Sequence, residues 1–241
     1  MEPVGYLFAF LVALALSSLL VPLSARIALR LGYVSVPRGD RWHTRTTPVL
    51  GGVAIYLAFI LTVLLFAHWN HEIQVILLGA SMLFFLGLID DLVTTSPPTK
   101  LVGQIICAAI LVFFGIRFHL LVFEPVNILL TFFWLIGITN AFNLLDNMDG
   151  LAAGVGVIVS LFLIFSMTGS SEWYVVVLLL SLAGALLGFL FYNFHPASVF
   201  MGDAGSLFVG FLLASVPLVV ERGSSNIVSA LFVPVFIFMI R

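Results

Sequence analysis

Apolar runs of membrane-crossing length recur along the whole chain and leave almost no room for a water-soluble core. Nine segments, roughly 4–24, 50–67, 73–89, 101–117, 125–140, 151–168, 173–191, 205–220 and 226–240, are long or apolar enough to read as bilayer spans. In hydrocarbon the backbone must satisfy its own polar groups, so runs of this kind fold as helices. The expected fold is therefore all-α, a polytopic transmembrane helical bundle of about nine spans forming one integral membrane domain over residues 1–241. Composition agrees, with 62% hydrophobic and 8% charged residues. A net charge of −2 with few basic residues argues against a nucleic-acid partner. The lone thiol, Cys107, lies in an apolar run and reads as a core residue. The first segment follows Glu2 rather than a positive region and precedes further spans, so it reads as retained rather than as a cleaved signal.

Nine spans alternate the connections between two faces, and the charges sort with that alternation. One face receives Arg26, Arg30, Arg38, Arg41, Arg45, Lys100 and Arg241, the other only Arg117 and Arg222. The positive-inside rule makes the first face cytoplasmic and puts the N-terminus outside. The acids sort more cleanly still. Asp40, Asp90, Asp91, Asp146, Asp149 and Asp203 fall on the cytoplasmic face, whereas Glu2, Glu72, Glu124, Glu172 and Glu221 fall on the other. Aspartates gathered on one side from four loops suggest one shared site.

A polar stretch runs from Asn140 to Leu151 between two apolar runs. If it is helical, Asp146 and Asp149 lie three residues apart on one face, with Asn140 and Asn143 repeating the step. An aspartate at the bilayer centre costs roughly 2.5 to 3.5 kcal/mol, so polar clusters near a membrane are functional candidates. The plainer alternative is a hydrophilic loop marking the end of a span. Adjacent Asp90 and Asp91 repel unless a proton or cation relieves them, and hard carboxylate oxygens suit magnesium. Lys100 opens the fourth span beyond Pro97 and Pro98, with Gln104 one turn later. It could bind phosphate as a point charge or only snorkel to the interface. Asp203 stands between Gly202 and Gly205 at an expected helix N-terminus, where free amides favour anions or a metal-bound phosphate; an ordinary cap is the alternative. Pro48, Gly51 and Gly52 mark a turn into the second span, where small residues permit close helix packing. His43 sits in the long first loop, which could equally be a topology signal against lipid headgroups. His195, before Pro196, is a second-rank candidate.

Taken together, these residues resemble those of the polyprenyl-phosphate N-acetylhexosamine-1-phosphate transferases, a bacterial glycosyltransferase family 4 type of polytopic enzyme. Four blocks carry the likeness: His43 with Pro48-Val-Leu-Gly51-Gly52, Gly87-Leu-Ile-Asp90-Asp91 through Lys100-Leu-Val-Gly-Gln104, Asn140 to Gly154, and Phe200 to Gly210. The Asn-Ala-Phe-Asn opening and the short gap from Asp91 to Lys100 look closer to the branch using UDP-N-acetylglucosamine than to the branch using UDP-N-acetylmuramoyl-pentapeptide. Asn147 stands where many members have glycine. The family's last cytoplasmic loop and final span or spans are not in this sequence, so the likeness is to a C-terminally shortened member.

The resemblance implies transfer of N-acetylhexosamine 1-phosphate, foremost GlcNAc 1-phosphate, from a UDP-sugar to polyprenyl (undecaprenyl) phosphate, releasing UMP. It implies a multi-pass protein of the inner (plasma) membrane with a cytoplasmic site that begins cell-envelope glycan synthesis, compatible with a homodimer. It implies magnesium, with manganese as a substitute, held by Asp203 with help from Asp91. Asp90 would contact, or deprotonate, the lipid phosphate. Lys100 would bind phosphate, while His43, Asn140, Asn143, Asp146 and Asp149 would shape the nucleotide-sugar end. An ion-coupled secondary transporter is the rival from another class, but its sites usually lie at the midplane between related halves. Here the acids lie at span ends, with no evident repeat. The CDP-alcohol phosphotransferases share only an Asp146-Asn-Met-Asp149-Gly150 start, and a non-catalytic scaffold is the remaining alternative.

Overall fold

The computed structural model of the protein describes residues 3–35, 46–166 and 174–223. They form eight helices: α1 (Pro3–Leu31), α2 (Gly51–Phe66), α3 (His71–Val93), α4 (Pro97–Phe113), α5 (Glu124–Leu145), α6 (Leu151–Ser166), α7 (Tyr174–Asn193) and α8 (Gly202–Gly223). By length and composition α1, α3, α5, α7 and α8 can each cross a membrane, while α2, α4 and α6 are shorter apolar helices. The chain is thus an all-α membrane protein. The expected ninth segment, 226–240, lies outside the described residues.

Local chemistry explains the helix ends. Asn70 caps α3 by accepting from Ile73 N at 2.9 Å. Pro97 and Pro98 open α4 in the first turn, where a missing N–H costs nothing. Helix α1 continues past the expected end near residue 24 to Leu31 and stops at Gly32, whose φ of +80° gives the left-handed turn that ends many helices. Two short strands not foreseen from the sequence, β1 (Val34–Ser35) and β2 (Thr47–Pro48), pair antiparallel and bring the chain back to the start of α2.

Helix α8 lies at the centre. From Met201 to Val220 every side chain except Asp203 is buried, as expected of a helix that is apolar all round. It packs against α2, α3, α5 and α6, with α7 and α1 forming a layer beyond α2. Two glycines set how closely its first turn is approached. A side chain at Gly87 of α3 would run into the Asp203 backbone, and one at Gly52 of α2 would run into Gly205. The ends of α2 and α3 are therefore drawn tightly onto the start of α8. This is where the polar residues collect.

Candidate active site

The first amides of any helix have no partner within that helix. In α8 three of them donate to carboxylates from elsewhere in the fold. Gly202 N reaches Asp146 Oδ2 at 3.1 Å, Asp203 N reaches Asp91 Oδ1 at 2.8 Å, and Ala204 N reaches Asp91 Oδ2 at 2.9 Å. The positive end of the helix favours negative charge there. Gly202 adopts a φ of +77°, and a Cβ on it would stand 2.7 Å from both Asp91 Oδ2 and Val49 O. Both the backbone angle and the lack of space demand glycine. The chain entering α8 is tied to the start of α2 by Gly51 N to Phe200 O (3.0 Å), Gly52 N to Met201 O (2.8 Å) and Phe200 N to Pro48 O (2.9 Å).

Lys100, from the first turn of α4, lies between two acids of different helices. Its Nζ donates to Asp90 Oδ2 at 2.9 Å and to Asp203 Oδ2 at 2.5 Å. Asp90 uses its other oxygen to accept from Thr95 N (2.6 Å) and Thr95 Oγ1 (2.5 Å), which orders the α3–α4 turn. The other oxygen of Asp203 accepts from Asn143 Nδ2 of α5 at 2.9 Å, and the same nitrogen donates to Ser206 Oγ at 2.9 Å. Four aspartates, Asp90, Asp91, Asp146 and Asp203, thus gather around the start of α8, and Lys100 is the cation paired among them in the described residues.

Helix α5 ends at Leu145, so Asp146 is the residue that closes it rather than part of a continuing helix. Its carboxylate turns inward beneath Gly202. Burial, joined by the negative charges of Asp203 and Asp91, pushes that carboxyl well above the ordinary carboxylate range.

The sequence profile described as "Glycosyl transferase family 4" matches residues 73–221, more than half of the chain. The chain belongs to glycosyl transferase family 4. It is 37% identical to a protein of Bacillus subtilis (strain 168) named "Probable undecaprenyl-phosphate N-acetylglucosaminyl 1-phosphate transferase", over 87% of this chain and 62% of that one. It is 36% identical to the "Decaprenyl-phosphate N-acetylglucosaminephosphotransferase" of Mycobacterium tuberculosis, over 78% of this chain and 54% of that one. A "Phospho-N-acetylmuramoyl-pentapeptide-transferase" of Bacillus anthracis is 32% identical, over 89% of this chain and 74% of that one. The chain therefore spans 62% and 54% of the lengths of the first two relatives.

In this family 4 chain, six of the residues singled out from the sequence converge: Asp90, Asp91, Lys100, Asn143, Asp146 and Asp203. Others do not. Asp146 and Asp149 do not share a helical face, because the backbone turns at 146–150 before α6 begins. Asp149 points instead at the α7–α8 connection, where Oδ2 meets His195 Nδ1 at 2.9 Å and accepts from Ala197 N at 3.0 Å. That contact gives His195 a tertiary partner 46 residues away. Asn140 faces Gln104 on α4 rather than the acids. His43 lies outside the described residues. Sequence reasoning missed Thr95, Ser206 and Asn193. Ser206 was legible as one turn beyond Asp203. Asn193, which accepts from Gly150 N at 3.0 Å and donates to Val199 O at 2.9 Å, carries no local signal because both partners are loop backbone groups, one of them 43 residues away.

Proposed function

We propose that the protein transfers N-acetylglucosamine 1-phosphate from UDP-N-acetylglucosamine to a polyprenyl phosphate at the cytoplasmic face of the inner membrane, releasing UMP. The observation that carries this reading is Lys100 held between Asp90 and Asp203 at the mouth of α8, an ammonium surrounded by carboxylates where phosphate groups must be handled. The names of the relatives support the acceptor and the sugar, and the N-acetylglucosamine-specific names accompany the higher identities. A site at a helix start near a membrane edge also suits one soluble and one lipid substrate.

The donor set fits a hard divalent cation. The cluster offers carboxylate oxygens with no thiolate or imidazole among them, and its acids outnumber its lysine. Among the described residues no three His, Cys, Asp or Glu side chains gather closely enough to hold a metal ion by themselves. That suits magnesium, which is usually bound by one or two carboxylates and completes its shell with water and substrate phosphate. Asp203 and Asp91 would hold it, with manganese as a substitute. When bound, it supplies neutralisation of diphosphate charge and orientation for in-line displacement.

In the reaction an oxygen of the lipid phosphate forms a bond to the β-phosphorus of the UDP-sugar, and the bond to the UMP oxygen breaks. The lipid phosphate needs little help from a base, since its second pKa near 6 leaves it largely dianionic at neutral pH. Asp90 accordingly holds Lys100 toward the incoming phosphate. Lys100 has three N–H donors and gives two to carboxylates in the described residues, so one remains for a phosphate oxygen. Asn143 holds the Asp203 carboxylate in place, and Asp146 borders the nucleotide-sugar end.

The test is UMP release by purified protein in detergent with polyprenyl phosphate, magnesium and a panel of UDP-N-acetylhexosamines including UDP-N-acetylmuramoyl-pentapeptide. Release that requires the lipid, stops with chelator and selects UDP-N-acetylglucosamine is the expected result. Release with the pentapeptide donor alone overturns the sugar assignment. Lipid-independent or absent release, both from this chain and from one extended past Arg241, overturns the transferase.

A further inference from the structure

Helices α4 and α5 each present two polar side chains one turn apart at the site. On α4 these are Lys100 and Gln104, and on α5 they are Asn143 and Asn140. The outer pair grips the two oxygens of Asp203, Lys100 on Oδ2 at 2.5 Å and Asn143 on Oδ1 at 2.9 Å. The inner pair grips itself. Gln104 Nε2 donates to Asn140 Oδ1 at 3.2 Å, and Asn140 Nδ2 donates to Gln104 Oε1 at 2.8 Å. Asn140 Nδ2 also donates to Ile136 O at 2.8 Å, which uses both of its protons and fixes the amide orientation. Gln104 is 2% exposed, so its amide is committed to this partner rather than to a ligand or to solvent.

A reciprocal amide pair between helices fixes both their spacing and their register, because sliding either helix by one residue breaks both bonds at once. Lys100 is joined to Gln104 by a single helical turn, and Asn143 to Asn140 by less than one. The register of the inner pair is therefore transmitted to the outer pair with little play. We propose that Gln104 and Asn140 are positioning residues: their amide pair locks α4 against α5 so that Lys100 and Asn143 meet the Asp203 carboxylate from opposite sides. This rests on the reading of the Lys100 cluster as the phosphate-handling site, and it gives Asn140 a role through Gln104 in place of direct contact with substrate.

Lys100 is the only lysine in the sequence, which makes its reactivity a direct reporter. An amine acylating reagent modifies only Lys100 and the chain's α-amine, and peptide mass separates the two. The rate is low while Nζ is engaged by the Asp90 and Asp203 carboxylates. In Gln104→Met, which keeps the length and helix preference of the side chain, acylation of Lys100 rises by about tenfold, the factor given by ~1.4 kcal/mol of lost ion pairing. In the exchanged variant, Gln104→Asn with Asn140→Gln, the summed length is retained and the rate returns to within about twofold of the unaltered protein. All rates are taken well below each variant's unfolding midpoint, so a merely structural role would leave them unchanged. If Gln104→Met does not fold, Gln104→Asn alone takes its place. Asp203→Asn, which weakens the ion pair directly, sets the full scale of the response. Unchanged labelling in Gln104→Met beside a clear rise in Asp203→Asn overturns the proposal, as does no rise in either. A rise in both with no UMP release from the unaltered protein, either as this chain or extended past Arg241, leaves the positioning role standing and overturns only the transferase reading.

Discussion

Asp91, at the end of α3, caps α8. Its two carboxylate oxygens accept the N–H groups of Asp203 and Ala204 at 2.8 and 2.9 Å, so the first turn of the central helix is held at Asp203 by an acid 112 positions earlier in the chain. A helix start is ordinarily capped from the preceding residue. Here the preceding residue is Met201, whose side chain has no oxygen to offer, and Gly202 at the start of the helix donates its own amide to Asp146. Two helices and a turn thus fix the direction in which Asp203 leaves the backbone.

Removing that cap should loosen the site. Asp91→Ala leaves two helix-start amides without acceptors and lowers stability by about 1 to 2 kcal/mol, with Asp91→Asn losing about half as much because one amide oxygen remains. Thermal unfolding in detergent checks both. Equal losses in the two variants would show that charge, not hydrogen bonding, makes the contribution.

Gly202→Ala should be worse than its size suggests. The left-handed backbone alone costs about 1 to 2 kcal/mol for a residue with a Cβ, and the methyl would press on the Asp91 carboxylate and Val49 O. The expected outcome is a lower unfolding midpoint together with loss of UMP release. Full activity at normal stability would mean that the start of α8 can be rebuilt.

Replacing Lys100 with methionine leaves Asp90 and Asp203 facing each other without their shared cation. UMP release should fall by about a hundredfold, the scale seen when one preorganised charge-stabilising group is removed. Arginine should not restore it, because a planar fork cannot fill the place of a compact ammonium. Steady-state kinetics of the two variants decide the matter.

The raised carboxyl of Asp146 makes stability depend on pH with a definite sign. Between the ordinary carboxylate pKa, about 4, and its raised folded value, the folded state holds a proton that the unfolded chain has lost. The contribution is therefore full below that ordinary value and disappears as pH rises through the folded one. The unfolding midpoint should fall with rising pH across this window, and Asp146→Asn should flatten the fall. A midpoint that rises with pH in the unaltered protein and not in the variant would reverse the assignment.

Much of this protein follows from local properties that a sequence displays directly. Apolar run length alone makes the chain an all-α membrane protein, since a bilayer leaves the backbone no partner but itself. The glycines flanking Asp203 mark the start of a helix, and α8 begins at Gly202. Cys107 in its apolar run is buried. The partners of the polar groups are a different matter. The same three-residue spacing joins Asn140 to Asn143 and Asp146 to Asp149, yet only the first pair lies on a helix, because α5 ends at Leu145. Asn140 then turns to Gln104 and Asp149 to His195. Lys100 meets Asp203 across 103 residues, and Asp91 reaches the amides of α8 across a still longer separation. Periodicity and hydropathy are sums over neighbours along the chain. Which acid finds which donor depends on how closely α2, α3 and α5 approach α8, and only the packed bundle decides that.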